Sequence, residues 1–304
     1  MLEIKRRNLM NSNISWKYPK AIVNCEWLAK NLNQLDIRIY DCTTYLHYSD
    51  NDPNQPYNVE SGEKDYENSH ILNSAFLDLQ ADISEQNSPY RFTLPKLNNL
   101  ATKFQNLGIG DPYHIILYSR NGMQWSARVW WMLRAIGFDN VSLLDGGFIE
   151  WKRLDLAIDN KVQKFLPANF TFQPRSNIFV DKEKVLKAIN DDNIILLNSL
   201  TEDIHIGKNP RYGRRGRIPN SLNVPFNQLL DDETGKFKPL NELSDIFSRK
   251  KITSDRTVLN YCGGGIAASL DAFVLYQLGF NNIQIYDNSM SEWAIDQNLP
   301  IEIG

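Results

Sequence analysis

A chain of 304 residues is long for one hydrophobic core and comfortable for two domains. Its 33 Lys and Arg against 36 Asp and Glu give a net charge of −3, which supplies no general attraction for nucleic acid. No apolar run spans a bilayer, residues 1–20 lack the apolar core of a secretory signal, and three scattered cysteines form neither a disulfide framework nor a zinc pattern, so a cytoplasmic, metal-free protein that leaves membranes alone is expected.

Residues 1–16 are polar and read as loosely ordered. A helical segment over 24–32 and a strand over 37–41 follow. Residues 49–63, rich in Asn, Asp and Pro, read as a long surface loop. His70-Ile-Leu-Asn-Ser-Ala-Phe76 leads into a short apolar run; 102–107 belongs to a helix and 115–118 to a strand. Val129, Met132, Leu133 and Ile136 fall at helical spacing over 126–136, and Gly137 ends that helix before a strand at 141–144. Strands alternating with helices argue for parallel βαβ units. From about 152 to 176 the periodicity fades and Lys, Asn and Pro increase, the mark of a linker.

The second half repeats the first. Residues 128–151 match 270–293 at a constant offset of 142, with Gly137 on Gly279, Asp145 on Asp287 and Trp151 on Trp293. His70-Ile-Leu-Asn-Ser74 echoes Arg217-Ile-Pro-Asn-Ser221. Two long copies mean a duplicated domain, so the expected units are 17–155, a linker at 156–176, and 177–304.

One stretch carries chemistry. The β-prone run 257–261 ends in Cys262, then Gly263, Gly264, Gly265, Ile266 and Ala267, and helical spacing resumes through Leu270, Phe273, Val274 and Leu278. Glycines let the chain curl and turn N–H groups inward at a helix N-terminus, which favours a thiolate and an anionic adduct on it. The 142 offset sets Arg120 opposite Cys262, so the first copy is expected to be non-catalytic. A buried structural cysteine beside a tight turn is the plainer alternative, and three successive glycines weigh against it. Arg211, Arg214, Arg215 and Arg217 cluster within seven residues; one or two could bind a carboxylate or sulfonate, the rest being solvated.

With these motifs, and with Leu144-Asp-Gly-Gly147 and Tyr286-Asp-Asn-Ser-Met-Ser-Glu-Trp293, the chain resembles the tandem-domain rhodanese and mercaptopyruvate sulfurtransferase family over nearly its whole length. The resemblance implies two rhodanese-like α/β domains, each a small parallel sheet flanked by helices, the second active. It implies transfer of sulfur from 3-mercaptopyruvate or thiosulfate through a Cys262 persulfide, cradled by the amides of Gly263 to Ala267, to a thiophilic acceptor such as cyanide or a thiol. No cofactor is implied, and the chain is expected as a monomer or weak homodimer. Arg217 holds the place of a family His or Arg, Arg211 lies one position from a substrate-binding arginine, and His70 matches a histidine of the inactive copy that faces the cleft. Mercaptopyruvate enzymes of the family commonly carry serine where Gly264 stands, and thiosulfate enzymes commonly place Arg and Lys directly after the cysteine; neither signature is present. The uncharged loop favours 3-mercaptopyruvate over the dianion thiosulfate. A phosphatase or arsenate reductase would need an arginine six residues after the cysteine, where Ala268 stands. A non-catalytic binding module is the remaining alternative.

Overall fold

The computed structural model describes residues 15–49 and 56–304. The expectation of loose order for 1–16 falls almost wholly outside the described residues, as does the 50–55 part of the expected surface loop.

Two five-stranded, all-parallel sheets organise the described residues, beside two small antiparallel pairs. The first runs Ile22–Val23, Val141–Leu144, His114–Tyr118, Ile37–Asp41, Ser74–Phe76 in spatial order. The second runs Phe179–Val180, Ile283–Tyr286, Thr257–Tyr261, Ile194–Asn198, Leu222–Asn223. Sheets of this kind are covered on both faces, so their central strands read as unbroken apolar runs; Ile115, Ile116, Leu117 and Tyr118 accordingly have no exposure.

The helices Gln124–Ala135 and Ala267–Gln277, each following the central strand of its sheet, pack on one another across the middle of the molecule. Trp130 meets Phe273 edge-on at 4.9 Å between centroids, and the Trp131 indole N–H donates to the Ser269 carbonyl at 3.0 Å. Burial from all sides explains why nearly every position of both helices is apolar or small rather than only one face. A buried charged pair crosses the same interface. Arg128, with no exposure, pairs with Asp287, donates to the Phe92 carbonyl at 2.9 Å and lies 4.5 Å over the Phe179 ring. The other Asp287 oxygen accepts the Leu94 N–H at 2.8 Å.

The stretch 49–63 is not a plain loop. Tyr57–Ser61 is a strand paired antiparallel with Thr44–Tyr48, and a helix begins at Glu63. Alternation of Tyr57, Val59 and Ser61 places one face of the hairpin against the protein, a period masked by the neighbouring Asn and Pro. The segment 156–176 runs back over the first sheet unit: Ile158–Asp159 pairs with His70–Ile71, and Arg175 N–H bonds the Ala135 carbonyl at 2.7 Å. Residues 16–18 do the reverse. Tyr18 stacks on Tyr276 at 4.0 Å, and Lys17 and Tyr18 exchange three hydrogen bonds with Gln277, each 3.0 Å.

His205 is buried against Asn198, with Nδ1 3.1 Å from the Asn198 amide nitrogen. Burial, helped by the nearby Arg217 charge, pushes its pKa down to about 4 from an ordinary 6.5. A base depressed in the folded state contributes stability above its unfolded pKa, which is lost as pH falls through the interval towards about 4. His205→Gln should therefore flatten the acid side of the stability profile. The unfolding free energies of wild type and variant from urea titration, compared at pH 7 and pH 5, should converge by about 1–2 kcal/mol at the lower pH; parallel profiles would refute the assignment.

Candidate active site

Strand Thr257–Tyr261 delivers Cys262 at its carboxyl end, where open α/β sheets place their ligands. The Cys262 N–H donates to Ser289 Oγ at 3.0 Å, whose own hydroxyl donates to the Tyr286 carbonyl at 2.7 Å. The Cys262 and Gly263 carbonyls accept from Met290 and Ser291 at 3.0 and 2.8 Å. The loop is thus held from one side through its carbonyls, while the N–H groups of Gly263, Gly264, Gly265 and Ile266 bond no protein group among the described residues. Four free amides at the start of the helix Ala267–Gln277 leave a concentration of donors beside the sulfur.

Two of the glycines are demanded by their surroundings. A Cβ on Gly263 would fall 2.0 Å from the Tyr212 hydroxyl. Gly265 has a φ of +74°, and its Cβ would meet the Asp287 carbonyl at 2.6 Å.

Cys262 is 2% exposed, at the floor of a cavity of about 210 Å³ built by both sheet units. Tyr48, Tyr57, Phe92 and Trp125 come from the first unit; Arg211, Tyr212, Gly263, Gly264, Ile266 and Ala267 come from the second. Burial raises all three phenols: Tyr57 to about 12, Tyr48 above its ordinary value and Tyr212 well above it. At neutral pH they are hydrogen-bond donors, not anions. Arg211 supplies the positive charge. Its guanidinium lies 3.8 Å over the Tyr48 ring, and its buried Nε has no hydrogen-bond partner. A small cavity with a buried sulfur, free amides, neutral hydroxyls and one arginine suits covalent chemistry on a small monoanion.

The other expected site residues lie elsewhere. Arg217 is not at the cavity: its guanidinium pairs with the Glu302 carboxylate and donates to the Gly304 carbonyl, while its backbone forms an antiparallel bridge with Glu302. A carboxylate and a carbonyl within reach satisfy it where it stands. His70 has no exposure; its ring stacks on Tyr66 at 4.0 Å and Nδ1 lies 2.6 Å from the Tyr66 carbonyl. It is packed inside the first unit and does not face the cleft. Gly265 does not line the cavity but turns under it, against Asp287 and Arg128. Cys25 is a buried thiol pushed up to about 12 by burial and then by Glu150, and burial raises Cys42 well above its ordinary value.

The first unit's counterpart of Cys262 is Ser119, not Arg120. The Ile71 and Ile218 amides donate to the hydroxyls of Tyr118 and Tyr261, at 3.3 and 3.2 Å. Just beyond, the Ser119 and Cys262 carbonyls accept from Phe148 and Met290. These equivalences give 261 − 118 = 143 and 262 − 119 = 143, one more than the offset read from the later helices and strands. Arg120 instead fills the first unit's own loop, with Nε 3.0 Å from the buried Asp41 carboxylate.

Tyr48, Tyr57 and Tyr212 escaped the reading of the sequence. The only available signal was the short alternation at 57–61 for Tyr57, and the position of Tyr212 beside Arg211.

The family described as "Rhodanese-like domain" matches residues 24–154 and 181–296. The chain is 30% identical over 283 residues to the 3-mercaptopyruvate sulfurtransferase of Escherichia coli (strain K12), covering 92% of this chain and 97% of that one. It is 28% identical over 284 residues to the thiosulfate sulfurtransferase of Rattus norvegicus, covering 90% and 92%. The crystal structure of SseA from Escherichia coli, described as a 3-mercaptopyruvate sulfotransferase, superposes with a TM-score of 0.74 at 27% identity, over 88% of this chain and 98% of that one.

Proposed function

Because the chain belongs to the rhodanese-like domain family, with two such domains in tandem, we propose that it is a thiosulfate/3-mercaptopyruvate sulfurtransferase whose working sulfur is Cys262. Residues 17–155 form the non-catalytic unit in this reading, 156–176 the connection and 177–304 the catalytic unit. The observation that carries it is Cys262 in a two-unit cavity, followed by four amides that bond no other group among the described residues.

With 3-mercaptopyruvate, the Cys262 thiolate attacks the donor sulfur. The carbon–sulfur bond breaks, its electron pair leaves as the pyruvate enolate, and the proton on the transferred sulfur ends on the enolate carbon. Cys262 is left as a persulfide anion, held by the amides of Gly263 to Ala267 through the same logic that stabilises an oxyanion. Cyanide or a thiolate then attacks the outer sulfur, and the electron pair of the sulfur–sulfur bond returns to Cys262. Three unpaired thiols fit a reducing, cytoplasmic location for this chemistry.

Arg211 is the donor's carboxylate partner in this proposal, the place the sequence offered to Arg217. A loop without charged side chains offsets a dianion poorly, whereas a carboxylate some atoms from the sulfur can reach a guanidinium outside the loop. The preferred donor is therefore 3-mercaptopyruvate. Steady-state assays with both donors and cyanide as acceptor test this. Arg211→Ala should lower kcat/KM for 3-mercaptopyruvate by about ten- to a hundredfold, chiefly through KM. A wild-type kcat/KM favouring thiosulfate by about tenfold or more, against the direction that charge-assisted binding sets, would overturn the preference.

A further inference from the structure

Tyr57 belongs to the first sheet unit, yet its hydroxyl stands over the sulfur loop of the second. It lies 3.1 Å from the point where a Cβ on Gly264 would be. The residue is 4% exposed, lines the cavity with Cys262, and is fixed by its pairing with Tyr48 and by stacking on Phe92. Gly264 differs from its neighbours. Its φ is not left-handed, and apart from that hydroxyl its missing side chain would meet only atoms at 3.9 and 4.0 Å. Nothing in the second unit itself keeps position 264 bare. The space is taken by a hydroxyl arriving from the other half of the chain.

We propose that the Tyr57 hydroxyl donates a hydrogen bond to the sulfur in transfer, so that the first unit supplies a reacting-site donor to the second. This rests on the sulfur-transfer reading of Cys262. Burial keeps the phenol protonated through the physiological range, so it acts as a donor of fixed charge. A donor aimed at a sulfur that becomes anionic strengthens as charge develops, and its loss falls on kcat more than on KM.

The experiment uses the full chain as wild type, Tyr57→Phe, Gly264→Ser and the double variant, each first checked for an unchanged melting curve. Donor without acceptor should add the mass of one sulfur to wild type. If it adds none, the sulfur-transfer reading itself fails. Given that adduct, Tyr57→Phe should lose about ten- to a hundredfold in kcat with KM nearly unchanged. Gly264→Ser alone should be no faster than wild type, because its Cβ crowds the phenol. The double variant should recover most of the lost kcat, since removing the phenol oxygen opens the space and the serine returns a hydroxyl to it. A Tyr57→Phe enzyme within twofold of wild type, or a double variant slower than Tyr57→Phe, would overturn the proposal; a merely structural tyrosine gives the second result.

Discussion

Cys262→Ser should leave a folded protein whose sulfur transfer is at least about a thousandfold below wild type, the scale on which removal of a covalent nucleophile acts. Serine keeps the size and the backbone N–H bond to Ser289 Oγ, so the scaffold survives. It cannot form the sulfur–sulfur bond that the first half-reaction makes, and no other thiol replaces it. Cys25 and Cys42 are buried in the first sheet unit with their thiols held neutral. Intact mass and peptide mapping after incubation with donor give the test. One added sulfur should appear on wild type and none on the variant; sulfur retained on Cys25 or Cys42 would place the chemistry elsewhere.

Arg128→Met should cost about 3–5 kcal/mol of stability, the range for breaking a buried ion pair from one side. Arg128 has no exposure, and two of its guanidinium nitrogens bond no group among the described residues, so the pair with Asp287 is the main offset to burying its charge. Removing the arginine leaves the largely buried carboxylate with the Leu94 N–H as its one hydrogen-bond donor among the described residues. Activity should fall as well, because Gly265 of the sulfur loop rests against both partners. Adding Asp287→Asn to the same chain removes the stranded charge while keeping an oxygen for Leu94, and should return at least half of the lost stability. Denaturant titration of the single and double variants decides this. A single variant within 1 kcal/mol of wild type would mean that the pair contributes little.

What the sequence made legible follows from periodicity and composition. The central strands and the two interface helices showed themselves because burial repeats over many residues, and Cys262 with three glycines is a rare composition whose physics is local. The arginine cluster was not resolvable, since four like residues within seven positions share every local property. Only the fold sorts them: Arg214 donates to the carbonyls of Ala294, Trp293, Asp296 and Leu299, Arg217 pairs with Glu302, and Arg211 is left facing the cavity. Tyr57 was hidden for another reason. Its role depends on the approach of two units brought together by helix packing, which no window of neighbouring residues encodes. The shift from 142 to 143 shows the same limit, because an ungapped match cannot reveal that the two interface helices differ in length, 12 residues in the first unit and 11 in the second.

The clasp between residues 16–18 and Gln277 bears on how the chain matures at the ribosome. Its hydrogen bonds join positions 259 residues apart in a chain of 304. The segment made among the first must wait, unpaired, until the helix Ala267–Gln277 has emerged, and contacts of such long range close late because the intervening chain resists the meeting. The first sheet unit can assemble during synthesis, but its interface helix has nothing to cover it until residues 267–277 appear. Its tryptophans Trp130 and Trp131 are then the exposed surface of the nascent protein, and the interval before release is when that surface invites chaperones or self-association.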